Sequence, residues 1–148
     1  CAPLQCNARY MLVEMNTIPK LPQTLTPVRM VIGTKEITTY ATISDDFNPI
    51  HKDVETAQNA GFTDIIAHGT LSLNLIWESI ERTFDFAQQP EITIDVRFKS
   101  PVYRGQTVET GSVHLSKMGN YEVWISDQNG MRAIEGTLQI HFDTVNGE

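Results

Sequence analysis

Two side chains able to move protons near neutral pH stand close together in the run Asp46-Phe47-Asn48-Pro49-Ile50-His51. A carboxylate and an imidazole around one water can activate it and manage its proton, which is general acid–base chemistry. Regular structure does not bring them together. In a strand, residues five apart lie on opposite faces with Cα atoms about 17 Å apart. In a helix they are rotated by about 140° and share no face. An irregular bend is required, and Asn48-Pro49 supplies one. Pro49 fixes its own φ and pushes Asn48 out of the α region. The Asn48 side chain can also turn the chain through bonds to nearby backbone. Taken alone, the hexapeptide reads first as a surface turn carrying two solvated polar residues.

The second chemical feature is His68-Gly69. Gly69 stands at the N-terminus of a long helical run, where N–H groups lack internal partners and carry partial positive charge. Without a Cβ it lets a ligand oxygen approach its N–H closely. Such a donor, aimed at a carbonyl gaining negative charge, is worth roughly 2.7–4 kcal/mol. Equally, Gly69 can simply ease the chain into the helix. His68 reads as a hydrogen-bonded structural residue rather than a catalyst.

The elements around these residues follow from pattern. Residues 1–26, broken by Pro3, Pro19 and Pro22, read as an N-terminal extension or lead-in, with Met11-Leu12-Val13 as a short strand or strapped-down arm. Residues 27–148 form one domain. Val28–Ile32 is strand-like. Thr34 is placed to cap a helix over 35–44 that delivers the chain into the bend. Asp53 is placed to cap a short helix over 54–60, ended by Gly61. From Thr70 to Phe84, Leu71, Leu73, Leu75, Ile76, Trp77, Ile80 and Phe84 cover most of the circumference, so the helix is expected to be buried on more than one side. Ile92, Ile94, Val96 and Phe98 alternate at strand period, and Pro101 to Gly105 turns the chain. Three further strand-like runs, 107–117, 121–127 and 131–142, are separated by Gly119-Asn120 and Asn129-Gly130 turns. This order is α+β: a curved antiparallel sheet wrapped on a long central helix.

Composition narrows the function classes. The 148 residues carry a net charge of −7, which argues against a nucleic-acid partner. No apolar run approaches the ~18–20 residues of a membrane span. Both cysteines, Cys1 and Cys6, lie at one end, which is not a disulfide framework and suits a reducing compartment, cytoplasmic first and organellar as the alternative. Residues 1–10 show no charged segment followed by an apolar one, so no signal peptide is expected within them.

The segment from Ser44 through Gly69 resembles the signature of the MaoC-like (R)-specific enoyl-CoA hydratases and dehydratases of the hot-dog fold. The matching residues are Asp46, Asn48-Pro49, His51, Asp53, Ala57, Phe62 and His68-Gly69, with Val96-Arg97-Phe98, Pro101-Val102 and Gly105 further on. The likeness spans roughly residues 30–142. It implies reversible addition of water across the double bond of a trans-2-enoyl thioester, giving the (R)-3-hydroxyacyl thioester. By the resemblance, Asp46 and His51 are the catalytic pair holding the water, and Gly69 is the backbone donor to the thioester carbonyl. Asn48 and Pro49 support the bend. No metal and no cofactor is implied, coenzyme A entering as part of the substrate. The substrate partner is an acyl-CoA or acyl-carrier protein, and the fold implies a homodimer or dimer of dimers.

Arg97, Lys99 and Arg104 form the densest basic group. They read as contacts for CoA phosphates or an acidic carrier-protein helix, or as solvated charges at a sheet edge. Trp77 and Trp124 read as core, the alternative being a shortened acyl tunnel. Other activities compete. A hot-dog thioesterase uses the same carboxylate, water and helix N-terminus, but has no need of His51 at this spacing. A non-catalytic acyl-binding subunit is disfavoured by the intact Asp46, His51 and Gly69. His51, Asp53 and His68 offer metal-ligand types without a recognised zinc spacing.

Overall fold

The computed structural model describes residues 20–116 and 118–143. Met11-Leu12-Val13 and both cysteines lie outside the described residues. The elements run β1 (Arg29–Val31), α1 (Thr34–Ser44), α2 (Val54–Asn59), α3 (Gly69–Thr83), β2 (Glu91–Phe98), β3 (Thr107–Ser116), β4 (Asn120–Asp127) and β5 (Arg132–His141). The five strands form one antiparallel sheet in the order β1-β3-β4-β5-β2. The sheet curls around α3, which is the hot-dog arrangement.

Alternation fixes which face looks inward. Val108 on β3, Tyr121, Val123 and Ile125 on β4, and Ile134, Leu138 and Ile140 on β5 are buried against the helix. The helix meets them with Leu71, Leu75, Ile76 and Ile80. Ser72 and Ser79 share that buried stripe, which hydropathy alone does not show. Contrary to expectation, the helix buries a single broad face in this chain: Trp77 is 38% exposed and Leu73 only partly buried. Trp124 is not core either. It lies across Gly111 on the neighbouring strand, with Arg132 stacked 4.3 Å from its ring.

Two more details depart from the sequence reading. Gly33, not Thr34, is the N-cap of α1, and Glu36 accepts its N–H at 3.0 Å. The Pro101–Gly105 segment does not join neighbouring strands; it crosses from β2 at one edge towards β3, two strands away from β5. Asp53 caps α2 as expected, accepting the Thr56 N–H at 2.8 Å. Residues 20–26 lie against the sheet and α3. Leu25 is 3% exposed and its N–H donates to Ser112 Oγ at 2.7 Å. The Ser79 hydroxyl donates to Thr26 O at 2.6 Å, and Tyr121 donates to Pro22 O at 2.8 Å. The buried hydroxyls thus hold the chain's entry segment, satisfying backbone groups that would otherwise be orphaned.

Candidate active site

The bend forms where α1 stops. Asp45 takes the left-handed conformation (φ 55), which Asp tolerates better than most residues, and both it and Asp46 turn their N–H groups back to Ala41 O. Asp46 Oδ1 accepts the Asn48 N–H, and Asn48 Oδ1 accepts the Ile50 N–H, both at 3.2 Å. Pro49 opens a single 3-10 turn, Pro49–His51. These local bonds reverse the chain and bring Asp46 and His51 to one place: Asp46 Oδ2 lies 4.0 Å from His51 Nε2.

His51 Nδ1 lies 2.7 Å from Ile66 O. A carbonyl only accepts, so Nδ1 carries the proton and the Nε2 lone pair is the free one. It is the Nε2 side that faces Asp46. His68, the N-cap residue of α3, makes no capping bond with its side chain. Its Nε2–H instead donates to Asp46 O at 3.0 Å, and its ring stacks on His51 with centroids 3.7 Å apart and planes at 25°. His68 is thus a buried, hydrogen-bonded residue, as its sequence reading has it, and its bond and its stack fall on Asp46 and His51, partners that the sequence does not name.

Gly69 begins α3. Among the described residues no acceptor engages its N–H. The ring of Phe98 covers its Cα so closely that a Cβ there would stand 2.6 Å from Phe98 Cε1. Gly69 and Phe98 line a cavity of about 380 Å³ with Phe62, Ile66, Ser72, Val102 and the successive residues Ala133 and Ile134. A register shift between β4 and β5 beside Ile125 turns both of the last two inward. Asp46 and His51 are not on that wall, but Ile66, which holds His51, is.

The three cations are not gathered together. Lys99 lines the cavity and pairs with Glu135 at 3.3 Å. Arg97 lies in a separate groove with Asp95, Glu122, Arg132 and Glu135. Arg104 is held by Asp64 at 2.8 Å. Asp46, His51 and His68 each offer a ligand atom within 4.8 Å of the others. However, the His68 nitrogen nearest Asp46 is committed as a donor to Asp46 O, and Asp53 is committed to capping α2.

Comparison with known proteins agrees with the fold. The unliganded R-hydratase PhaJ1 from Pseudomonas aeruginosa superposes with a TM-score of 0.70, covering 83% of this chain and 81% of that one at 23% identity. An (R)-hydratase from A. caviae gives 0.70 over 86% of this chain and all of that one at 22% identity. The chain also matches the MaoC like domain over residues 13–135, and it belongs to that family. It is 33% identical over 96 residues to a mitochondrial 3-hydroxyacyl-[acyl-carrier-protein] dehydratase of Arabidopsis thaliana, covering 65% of this chain and 56% of that protein. It is 30% identical over 86 residues to the (R)-specific enoyl-CoA hydratase of Aeromonas caviae, covering 58% and 63%. The chain thus spans about half the length of the curated relatives it matches, 56% in Arabidopsis and 49% in tomato. Among the described residues no helix is long and apolar enough to cross a membrane.

Proposed function

We propose that the protein adds water reversibly to trans-2-enoyl thioesters, giving (R)-3-hydroxyacyl thioesters, with Asp46 and His51 as the catalytic pair. The observation that carries this reading is the 4.0 Å separation of Asp46 Oδ2 and His51 Nε2. It is too long for a direct hydrogen bond, yet short enough for one water to bond both. The Nε2 lone pair takes a proton from that water as its oxygen bonds to C3. Asp46 orients the water and balances the imidazolium that forms. The proton is then delivered to C2, so that one O–H bond of water and the C2–C3 π bond are broken and one C–O and one C–H bond are made. Charge that collects on the thioester oxygen meets the Gly69 N–H. These steps require no metal or redox group. The relatives named for acyl-carrier-protein and CoA thioesters support an acyl thioester as the substrate class. Of the three cations, Lys99 is the one that lines the cavity, which supports it as the contact to the carrier.

The test is an assay of purified protein against enoyl-CoAs of graded length. Loss of enoyl absorbance without thiol release is expected, with (R) product. Asp46→Asn or His51→Ala is expected to lower turnover by at least about 100-fold with the fold intact. Near-normal turnover in both variants would sink the assignment, and thiol release would point to thioester hydrolysis instead.

A further inference from the structure

We propose that His68 is a positioning residue that seats Asp46 and His51 against each other; the inference rests on the reading of the site given above. His68 is 3% exposed and does not need to touch substrate to act. Its Nε2–H anchors the Asp46 backbone carbonyl at 3.0 Å. Asp46 needs that anchor, because its side chain is half exposed and it follows a left-handed residue just beyond the end of a helix. The face of the His68 ring does the second job. The hydrogen bond to Ile66 O fixes one point of His51, and the 3.7 Å stack fixes its plane. Tyr40 backs the His68 ring at 5.2 Å and is itself held by a hydrogen bond to Thr70.

A polar cost accompanies this arrangement. With Nε2 as the donor, Nδ1 is a buried acceptor, and among the described residues it has no partner. An apolar ring of the same size would avoid that penalty. What the imidazole supplies, and a hydrocarbon cannot, is the donor to Asp46 together with the stacking face for His51.

Two variants separate these jobs. His68→Phe keeps a ring but removes the donor. His68→Gln keeps an amide N–H near the place of Nε2 but removes the ring. Each is expected to lower kcat on crotonyl-CoA by about 10- to 100-fold, as for a misplacement near 1 Å, with KM within about twofold. In an Asp46→Asn background, His68→Phe is expected to add less than about a twofold loss, because both act through one carboxylate. Crystal structures of the variants should show the Asp46 carboxylate and the His51 ring moved apart. Unchanged kcat in both variants, full additivity with Asp46→Asn, or an unmoved pair would each overturn the proposal. Should His68→Phe fail to fold, His68→Gln decides by the same measurements. The crystallographic reading stands without activity, so a wild-type protein that hydrates no enoyl thioester would defeat the proposed reaction and leave this inference to the structures.

Discussion

At Gly69 the absent Cβ leaves room both for a ligand oxygen and for the Phe98 ring. Gly69→Ala is expected to lower the melting temperature, because Phe98 must shift, and to lower hydratase turnover at least tenfold. Adding Phe98→Ala should restore the melting temperature while turnover stays low. Recovery of turnover in the double variant would show that Phe98, and not access to the N–H, explains the glycine. At this scale the sequence was informative where chemistry and backbone geometry coincide. Asn48-Pro49 between an acid and an imidazole requires a bend, and the bend is there. His68 reads correctly as a hydrogen-bonded structural residue, but its partners stand seventeen and twenty-two positions earlier, and no local pattern encodes such a stack and bond. The tryptophans were misjudged because size favours burial, whereas Trp77 is 38% exposed on α3 and Trp124 lies across a glycine on the next strand.

Elements were legible where their ends carry specific chemistry. Asp53 before α2 is the clear case, and it gives a pH prediction. The Thr56 hydroxyl and backbone N–H donate to its carboxylate and hold its pKa below the ordinary 3.8. A depressed folded-state value contributes stability that is present above 3.8 and is lost as pH falls through the lower value. Urea midpoints measured from about pH 6 down to about pH 2.5 should therefore fall less steeply in Asp53→Asn, which keeps a capping oxygen but does not titrate. Identical slopes in the two proteins would show that the cap contributes nothing to acid sensitivity. At α1 the adjacent Thr34 was the better cap by side-chain type, yet Gly33 holds that position because the Glu36 carboxylate reaches back to its N–H. The hydroxyls of Ser72 and Ser79 hid the true buried face of α3, since serine counts as polar: Ser79 donates to Thr26 O, while Ser72 Oγ is buried with no partner among the described residues.

For the molecule as a whole, alternation and turn residues delivered the strands, but not their order. Nothing in the Pro101–Gly105 sequence says that the chain crosses the sheet instead of turning back, because that choice is made by long-range pairing. The order leaves β2 at an edge, with Phe98 56% exposed, and Val31 on the opposite edge strand 57% exposed. Phe47 beside the bend is 52% exposed. If these exposed apolar side chains are covered by a second copy of the chain, the protein is a dimer in solution. Light scattering is expected to give twice the chain mass at micromolar concentration, and Phe98→Glu is expected to shift the protein towards the monomer. A monomeric wild-type protein would remove the dimer from this account.

Ile66 leaves one lasting consequence. Its carbonyl steadies the imidazole of His51, while its own stretch is stitched to the crossing segment: Ala67 N–H to Val102 O at 2.8 Å, Arg104 N–H to Ile65 O at 2.9 Å, and a bridge from Ile66 to Tyr103. The compartment that would house the acyl tail and the seat of the base therefore share a wall. If His51 is the base, reshaping Pro101 or Val102 to admit a longer tail will also shift its seat, so length preference and speed should drift together under mutation.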